Sequence, residues 1–175
     1  AEQVVWDAGV AEAVVLRIAL VYGPGVGGNL RSMLDAIDRR RFPPPPPVPN
    51  RRSMIHVDDV VRVMIAAGER VGVAGHTLVV SDGVPYSTRA VYEAMVRALG
   101  RSVPAWWMPV PCWRMLARTG DAVRVLTGRR APFDSDAYRK LFGSAWYQPS
   151  NLQAELGIAM SRTLADAVPE MMPAR

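Results

Sequence analysis

Apolar residues recur along this chain in two rhythms, and their alternation outlines the fold. Ala13-Val-Val-Leu-Arg-Ile-Ala-Leu20 is a nearly continuous apolar run, the pattern of a strand covered on both faces. Tyr22 to Gly28 follows with four glycines and a proline, which predicts a loop. From Asn29 to Arg40 the apolar positions Leu30, Met33, Leu34 and Ile37 keep the i, i+3, i+4, i+7 spacing of an amphipathic helix. Asn29 is the expected cap of that helix. Ser53 to Val57 reads as a short extended piece. Asp58 or Asp59 then caps a helix whose apolar face is Val60, Val61, Val63, Met64 and Ile65. His76 to Val80 is a further strand, ended by Ser81-Asp82-Gly83. Ser87 or Thr88 caps a helix that runs to Leu99 and is stopped by Gly100.

The flanking parts are less regular. Glu2 to Ala8 reads as the tail of a helix closed by Gly9, and Pro43 to Pro47 as a stiff polyproline connector. Trp106, Trp107 and Trp113 lie among Pro109 and Pro111, ahead of a helix from Trp113 to Leu126; such a cluster reads as packing. A loop from Gly128 to Pro149 and short helices at Asn151–Leu156 and Thr163–Met172 complete the outline. Strand alternating with helix argues for an α/β fold with a mostly parallel sheet. Only two sheet strands are convincing, too few for a self-sufficient doubly wound sheet.

Composition narrows the function classes. The length of 175 residues, half of them hydrophobic, suits one domain or one lobe of a larger protein and argues against disorder. No apolar run approaches the roughly 20 residues that span a bilayer. Cys112 stands alone, so a reducing, cytoplasmic setting is expected, with the thiol as a small buried hydrophobe. One cysteine and two histidines without clustering argue against a metal site. The net charge of +5 raises nucleic acid as a partner, yet all but one of the 21 cationic side chains are arginines, Lys140 being the exception. That skew fits a compositional bias, and the cations are spread along the chain apart from Arg39–Arg41, Arg51–Arg52 and Arg129–Arg130. A solvated surface is the expectation, with neither nucleic acid nor membrane as partner.

Two segments carry candidate chemistry. Leu16 to Gly25 is a strand running into a Gly/Pro turn, which delivers backbone groups to the carboxyl edge of a sheet, where α/β proteins hold ligands. Asn50 to Val61 brings Arg51 and Arg52 to the start of an apolar stretch, and forked guanidinium donors grip a diphosphate. His56 has an acid/base side chain but sits in an apolar extended stretch, so a structural role is expected. Asp58 and Asp59 read as helix-capping acids rather than a catalytic pair.

The residues that carry these readings also resemble a known family in order and spacing. They are Leu16 to Gly25, the helix opened by Asn29-Leu30, Arg52-Ser-Met-Ile-His-Val-Asp-Asp59, Ser81-Asp82-Gly83 with Ser87-Thr88, and Leu156-Gly157. Together they resemble the extended short-chain dehydrogenase/reductases, the NAD-dependent epimerase/dehydratases of nucleotide sugars. The flavour is that of UDP-glucose 4-epimerases of polysaccharide synthesis. The resemblance implies the C-terminal part of a Rossmann-like parallel sheet interleaved with the smaller α/β substrate-binding lobe, over residues 1–175. It places the N-terminal NAD-binding half, with its Gly-rich loop, outside this chain, and Ala1-Glu2-Gln3 reads as the interior of a helix. The family's Tyr-x-x-x-Lys pair is absent, since Tyr22, Tyr86, Tyr92 and Tyr138 are followed four residues on by Val26, Ala90, Val96 and Phe142. No catalytic residue is therefore assigned, and the isolated chain is expected to be inactive.

The resemblance further implies NAD as cofactor, with Ala19, Leu20, Val21 and Tyr22 beside the nicotinamide. Asn29, Leu30, Arg52 and less closely Arg139 would hold the diphosphate of a UDP-sugar. The implied reaction is transient oxidation and re-reduction at the sugar C4, and the parent is expected to be a homodimer. A non-catalytic assembly subunit that kept the fold is the alternative.

Overall fold

The computed structural model describes residues 2–9, 12–129 and 131–172. Ala1 and Arg130, which figured in the terminal-helix and Arg129–Arg130 readings, lie outside the described residues. In chain order the elements are α1 (Glu2–Asp7), β1 (Val15–Ile18), β2 (Leu20–Tyr22), α2 (Gly28–Asp38), β3 (Met54–His56) and α3 (Val57–Glu69). They continue as β4 (Thr77–Val80), α4 (Thr88–Ala98), α5 (Val110–Thr127), α6 (Ser135–Phe142), α7 (Leu152–Leu156), α8 (Leu164–Ala167) and a final 3₁₀ turn, Val168–Met171. These elements form two compact units. The first comprises Ala1–Gly27, Ser53–Pro85 and Trp146–Arg175; the second comprises Gly28–Arg52 and Tyr86–Ala145.

The first unit is built on parallel pairing. β1 pairs with β4 in the register Val15↔Thr77 to Ile18↔Val80, and β2 pairs with β3 from Leu20↔Met54 to Tyr22↔His56. The apolar run expected as one strand thus reaches Tyr22 and divides in two. The exchange of partners happens at Ala19, whose N–H still donates to Val80 O at 3.0 Å, while Leu20 N–H turns to Ser53 O at 3.4 Å. Four strand segments are present where two sheet strands were expected, because the first run divides into β1 and β2 and the short extended piece at Ser53–Val57 pairs with β2 as β3.

α3 covers this framework with Val60, Val63 and Ala67, which pack with Ile55, Leu78 and Val80 and with Leu152 and Leu156 of α7. Each such aliphatic side chain contributes roughly 1.5–3 kcal/mol on burial. The buried stripe is narrower than the expected face, since Val61, Met64 and Ile65 remain about half exposed. The cap is also different. His56, not an aspartate, caps α3: its Nδ1 accepts from Asp58 N–H at 3.2 Å. Asp58 and Asp59 lie inside the first turn, where their charge suits the helix N-terminus.

The second unit is helical. α2 buries Leu30, Met33, Leu34 and Ile37, the four positions its periodicity marks. It begins at Gly28, so Asn29 sits within its first turn rather than ahead of it. Ser87 caps α4 by accepting from Ala90 N–H at 3.0 Å, and Gly100 closes it with φ of +69°. Arg101 then donates to Ile37 O and Asp38 O at 2.8 and 2.9 Å, satisfying carbonyls at the C-terminus of α2. Pro44 to Pro46 of the proline run are buried. Proline needs partners only for its carbonyls, and Pro44 O and Pro45 O accept from Met108 N–H and Arg89 Nη1, each at 2.9 Å.

Trp113 is the centre of this unit. It is 1% exposed and its ring lies 5.4 Å from Phe42, 5.4 Å from Phe133 and 5.5 Å from Phe142. Trp106 and Trp107, expected to pack with it, are exposed instead, and so is Cys112, which faces solvent on α5 rather than lying in the core. The expected loop from Gly128 to Pro149 contains a helix, α6, capped by Asp134 accepting from Ala137 N–H at 2.9 Å. Its two turns are too short for a periodic apolar signature. Near its C-terminus, the helix of Thr163–Met172 tightens into the 3₁₀ turn after four residues of α8.

Candidate functional site

The candidate residues fall into both units, and each set is described within its own. In the first unit β2 stops at Gly23, which has φ of +127°, a region L side chains avoid. A Cβ there would meet His56 Nε2 and Val57 Cγ1 at 2.9 Å, so the backbone passes where no side chain fits. Beside this turn is a concavity of about 230 Å³ lined by Val21, Tyr22, residues 23–27 and Val57. Of the four residues expected beside a cofactor, Val21 and Tyr22 reach this concavity. Ala19 is half-buried and Leu20 is largely exposed, and neither lines it. The Tyr22 ring is buried; its hydroxyl lies 3.0 Å from Asp82 Oδ2 and 3.1 Å from Arg162 O, and one of them takes its proton.

His56 supports this turn from below. Its ring meets Tyr22 edge-on at 5.5 Å, and its Nδ1 is committed to the α3 cap. That acceptor role assigns the proton to Nε2, which is buried without a hydrogen-bond partner among the described residues and lies 3.8 Å from Glu170 Oε2. Glu170 in turn holds Arg162 Nη1 at 2.6 Å. The structural reading of His56 fits its Nδ1 edge, which caps α3, and its buried ring, which packs on Tyr22.

Asp59 was missed as anything more than a cap. Fully buried, its Oδ1 accepts from Arg62 Nη1 and Ser161 Oγ, both at 2.8 Å, and its Oδ2 accepts from Ser161 N–H and Arg162 N–H at 3.2 and 3.3 Å. Burial pushes the carboxyl pKa up, but these donors together outweigh it and hold the group below the usual carboxylate range. Asp59 thereby ties α3 to the segment that carries Arg162. Only the position of an acid one turn into a helix was visible in sequence, and its partners lie about a hundred residues away.

In the second unit Arg52 is half-buried and clamps the end of α6. Its Nη2 donates to Leu141 O at 2.9 Å, to Gly143 O at 3.4 Å and to Lys140 O. Its backbone bridges Tyr86 and Ala145. Burial lowers the guanidinium pKa, as desolvation disfavours the charged form. Asn50, buried beside it, donates through Nδ2 to Thr88 Oγ1 at 2.8 Å and accepts at Oδ1 from Thr88 N–H at 3.1 Å. Thr88 Oγ1 in turn donates to Leu141 O. Arg139 stands on α6 next to Lys140, well exposed and paired loosely with Asp136 at 3.5 Å. The structure thus brings Arg52 and Arg139 to one element. Asn29 and Leu30 open a different helix, the first exposed and the second part of the core.

With this geometry in hand, the similarities to known proteins are informative. The sequence model of the NAD dependent epimerase/dehydratase family matches residues 1–81, a span that includes the Gly23 turn and the Arg52–Asp59 segment. A UDP-glucose 4-epimerase of Vibrio cholerae is 29% identical over 153 residues, covering 81% of this chain and 44% of its own length. The chain therefore spans less than half the length of this curated relative. The Bordetella bronchiseptica enzyme WbmH, solved in complex with NAD+, is 20% identical with a TM-score of 0.63 over 97% of this chain and 46% of that one. A UDP-glucose 4-epimerase of Bifidobacterium longum, solved with NAD+ and UDP, is 19% identical with a TM-score of 0.61 over 97% and 50%. At these identities the solved structures speak for the fold. Residues 1–81 carry the sequence pattern of the NAD dependent epimerase/dehydratase family, and the whole chain resembles a partial member of it, with the fold of its Rossmann-type enzymes.

Proposed function

We propose that this chain is the C-terminal portion of an NAD-dependent nucleotide-sugar epimerase/dehydratase, a UDP-hexose 4-epimerase, and that residues 1–175 interleave the last Rossmann elements with the substrate-binding lobe. The observation that carries the reading is the end of β2. A strand stops at a backbone turn with no room for a Cβ, beside a concavity lined in part by Gly23, Gly25 and Gly27, inside the span that matches the family. A glycine-rich turn of this kind lets a planar carboxamide approach main-chain groups closely. Residues Ala19–Tyr22 are the proposed seat of the nicotinamide. Bound NAD would supply the transient oxidation and re-reduction of the sugar.

The diphosphate is assigned to Asn29, Leu30, Arg52 and Arg139. Asn29 and the first-turn amides of α2 offer donors at a helix N-terminus, where anions are favoured, and buried Leu30 holds that turn in place. The Nη2 of Arg52 is held by three carbonyls, while its Nε and Nη1 have no hydrogen-bond partner among the described residues. A guanidinium oriented this way needs little reordering to grip a phosphate. Arg139 adds an exposed positive charge. None of the assigned residues transfers a proton, so binding without turnover is the expected behaviour of the isolated chain.

Calorimetric titration of the full chain with UDP and with NAD tests this. Asn29→Ala and Arg139→Gln, both at exposed positions, are expected to weaken UDP about tenfold each, the scale of one lost charge-assisted contact. A chain that binds neither UDP nor NAD would instead be the non-catalytic assembly subunit.

A further inference from the structure

α5, with 18 residues, is the longest helix among the described residues, and it buries little of itself. Only Trp113, Ala117 and Gly120 are covered, one narrow stripe at i, i+4, i+7. Apart from half-buried Val110 and Asp121 the remainder faces solvent, and its composition is not that of an ordinary solvated face. At 100° per residue, Met115, Leu116, Ala122, Val123 and Leu126 share one sector of roughly 120°, in which Cys112 and Thr119 also lie. Met115 is 66% exposed and Leu126 83%. Arg114 and Arg118 occupy the sector between these residues and the buried stripe. The helix has a single acid, Asp121, and it is turned onto α6: its Oδ2 accepts from Ser135 Oγ at 2.5 Å and its Oδ1 from Ser135 N–H at 3.1 Å. Just ahead of the helix, Trp106 and Trp107 are 60% and 49% exposed.

We infer that α5 is a membrane-surface element, whose exposed apolar sector lies in the interfacial layer of an anionic lipid bilayer. Three features select this occupant. The apolar sector is bordered on one side by arginines and presents no acid, so its charge complements anionic headgroups. Long arginine side chains beside such a sector extend their guanidinium groups to the headgroup level while their stems cover apolar surface. Exposed tryptophans at the entrance to the helix are the side chains most at home at a membrane–water boundary. A second copy of the chain fits less well, because it would bring like-charged arginines together. No described helix is long and apolar enough to cross a membrane, and none is needed. The expectation of no membrane partner rested on that same lack of a spanning run, which says nothing of a helix lying in the plane of the surface.

The test is co-sedimentation of the full chain with vesicles of phosphatidylcholine, with and without phosphatidylglycerol. Binding is expected only to the anionic vesicles, with a blue shift of tryptophan emission. M115Q/L126Q should weaken it about tenfold or more through lost apolar insertion. R114Q/R118Q should weaken it about twenty-fivefold, at roughly fivefold per arginine near an anionic surface. All four positions are exposed, and unchanged far-ultraviolet circular dichroism checks that the variants fold. No binding to anionic vesicles at low salt overturns the proposal. So does binding that ignores M115Q/L126Q, which would mean adsorption by charge alone, or a self-associated chain that L126Q dissociates without any vesicle binding.

Discussion

Replacing Asp59 by asparagine removes one charge and one acceptor while keeping the shape of the side chain. The Oδ1 contacts with Arg62 and Ser161 Oγ, both 2.8 Å, can persist. At the Oδ2 position the new amide points its own N–H groups at Ser161 N–H and Arg162 N–H, which now sit 3.2 and 3.3 Å from an acceptor. Two hydrogen bonds are lost and two backbone donors are left facing a donor. Each such loss costs about 1–3 kcal/mol, and the half-exposed Arg62 adds only a few tenths, so a destabilisation of about 3 kcal/mol is expected. For a chain of this size that lowers Tm by roughly 6–12 °C. Urea unfolding at pH 7 measures it.

The pH dependence supplies the sign. The folded carboxyl titrates below its ordinary value of 3.8, so it stabilises the fold fully above that range, and the contribution fades as pH falls beneath it. The gap between the native chain and Asp59→Asn should therefore shrink below about pH 4. A loss under about 1 kcal/mol at pH 7, or a gap that stays constant with acid, would refute the assignment of Asp59 as the tie between α3 and residues 161–162.

Other substitutions probe separate points. Gly120→Ala would drive a Cβ into Phe133 O, and since backbone rather than a flexible side chain is struck, α5 and the residue 131–133 segment must part; a loss of about 3 kcal/mol or more in thermal unfolding is expected. Gly23→Ala combines an unfavourable φ with contacts at 2.9 Å to His56 and Val57, costing about 2–4 kcal/mol, and NAD titration should show weakening beyond that of the cap variant His56→Asn. Ser87→Ala removes the α4 cap and should cost about 1 kcal/mol in urea, with Ser87→Asp restoring most of it. Arg52→Lys keeps the charge but not the fork, so α6 should lose amide-exchange protection near Lys140–Gly143 while α4 keeps its own.

Elements with a local signature were legible in the chain. α2 and α4 announce themselves through apolar spacing and, in α4, through Ser87 and Gly100, because short-range chemistry decides them. The same holds for the run that becomes β1 and β2, though the exchange of partners at Ala19 depends on where β3 and β4 arrive. α6 was illegible: eight residues give one or two apolar contacts per face, and Tyr138 and Phe142 were read amid loop residues. His56 displaced two aspartates as cap because the strand before it delivers its ring to the right place, a tertiary effect. At the candidate site, the turn after Tyr22 and the arginine at position 52 could be picked from residue types alone. The carbonyls that hold Arg52 lie nearly ninety residues downstream, and no pattern near Arg52 points to them.

The two units share one polypeptide in an interleaved order, with the backbone changing unit at residues 27–28, 52–53, 85–86 and 145–146. No single cut therefore yields either one whole. The smaller body is, in chain terms, two insertions: one spliced between β2 and β3, the other after β4 and its Ser81–Pro85 exit. Exchange of that body between relatives has to move both pieces, 28–52 and 86–145, in one step, because the Arg52 clamp on α6 joins residues of the first piece to residues of the second. A swap of either piece alone would separate the guanidinium from its carbonyls. Recombination should thus treat these distant stretches as a single heritable module.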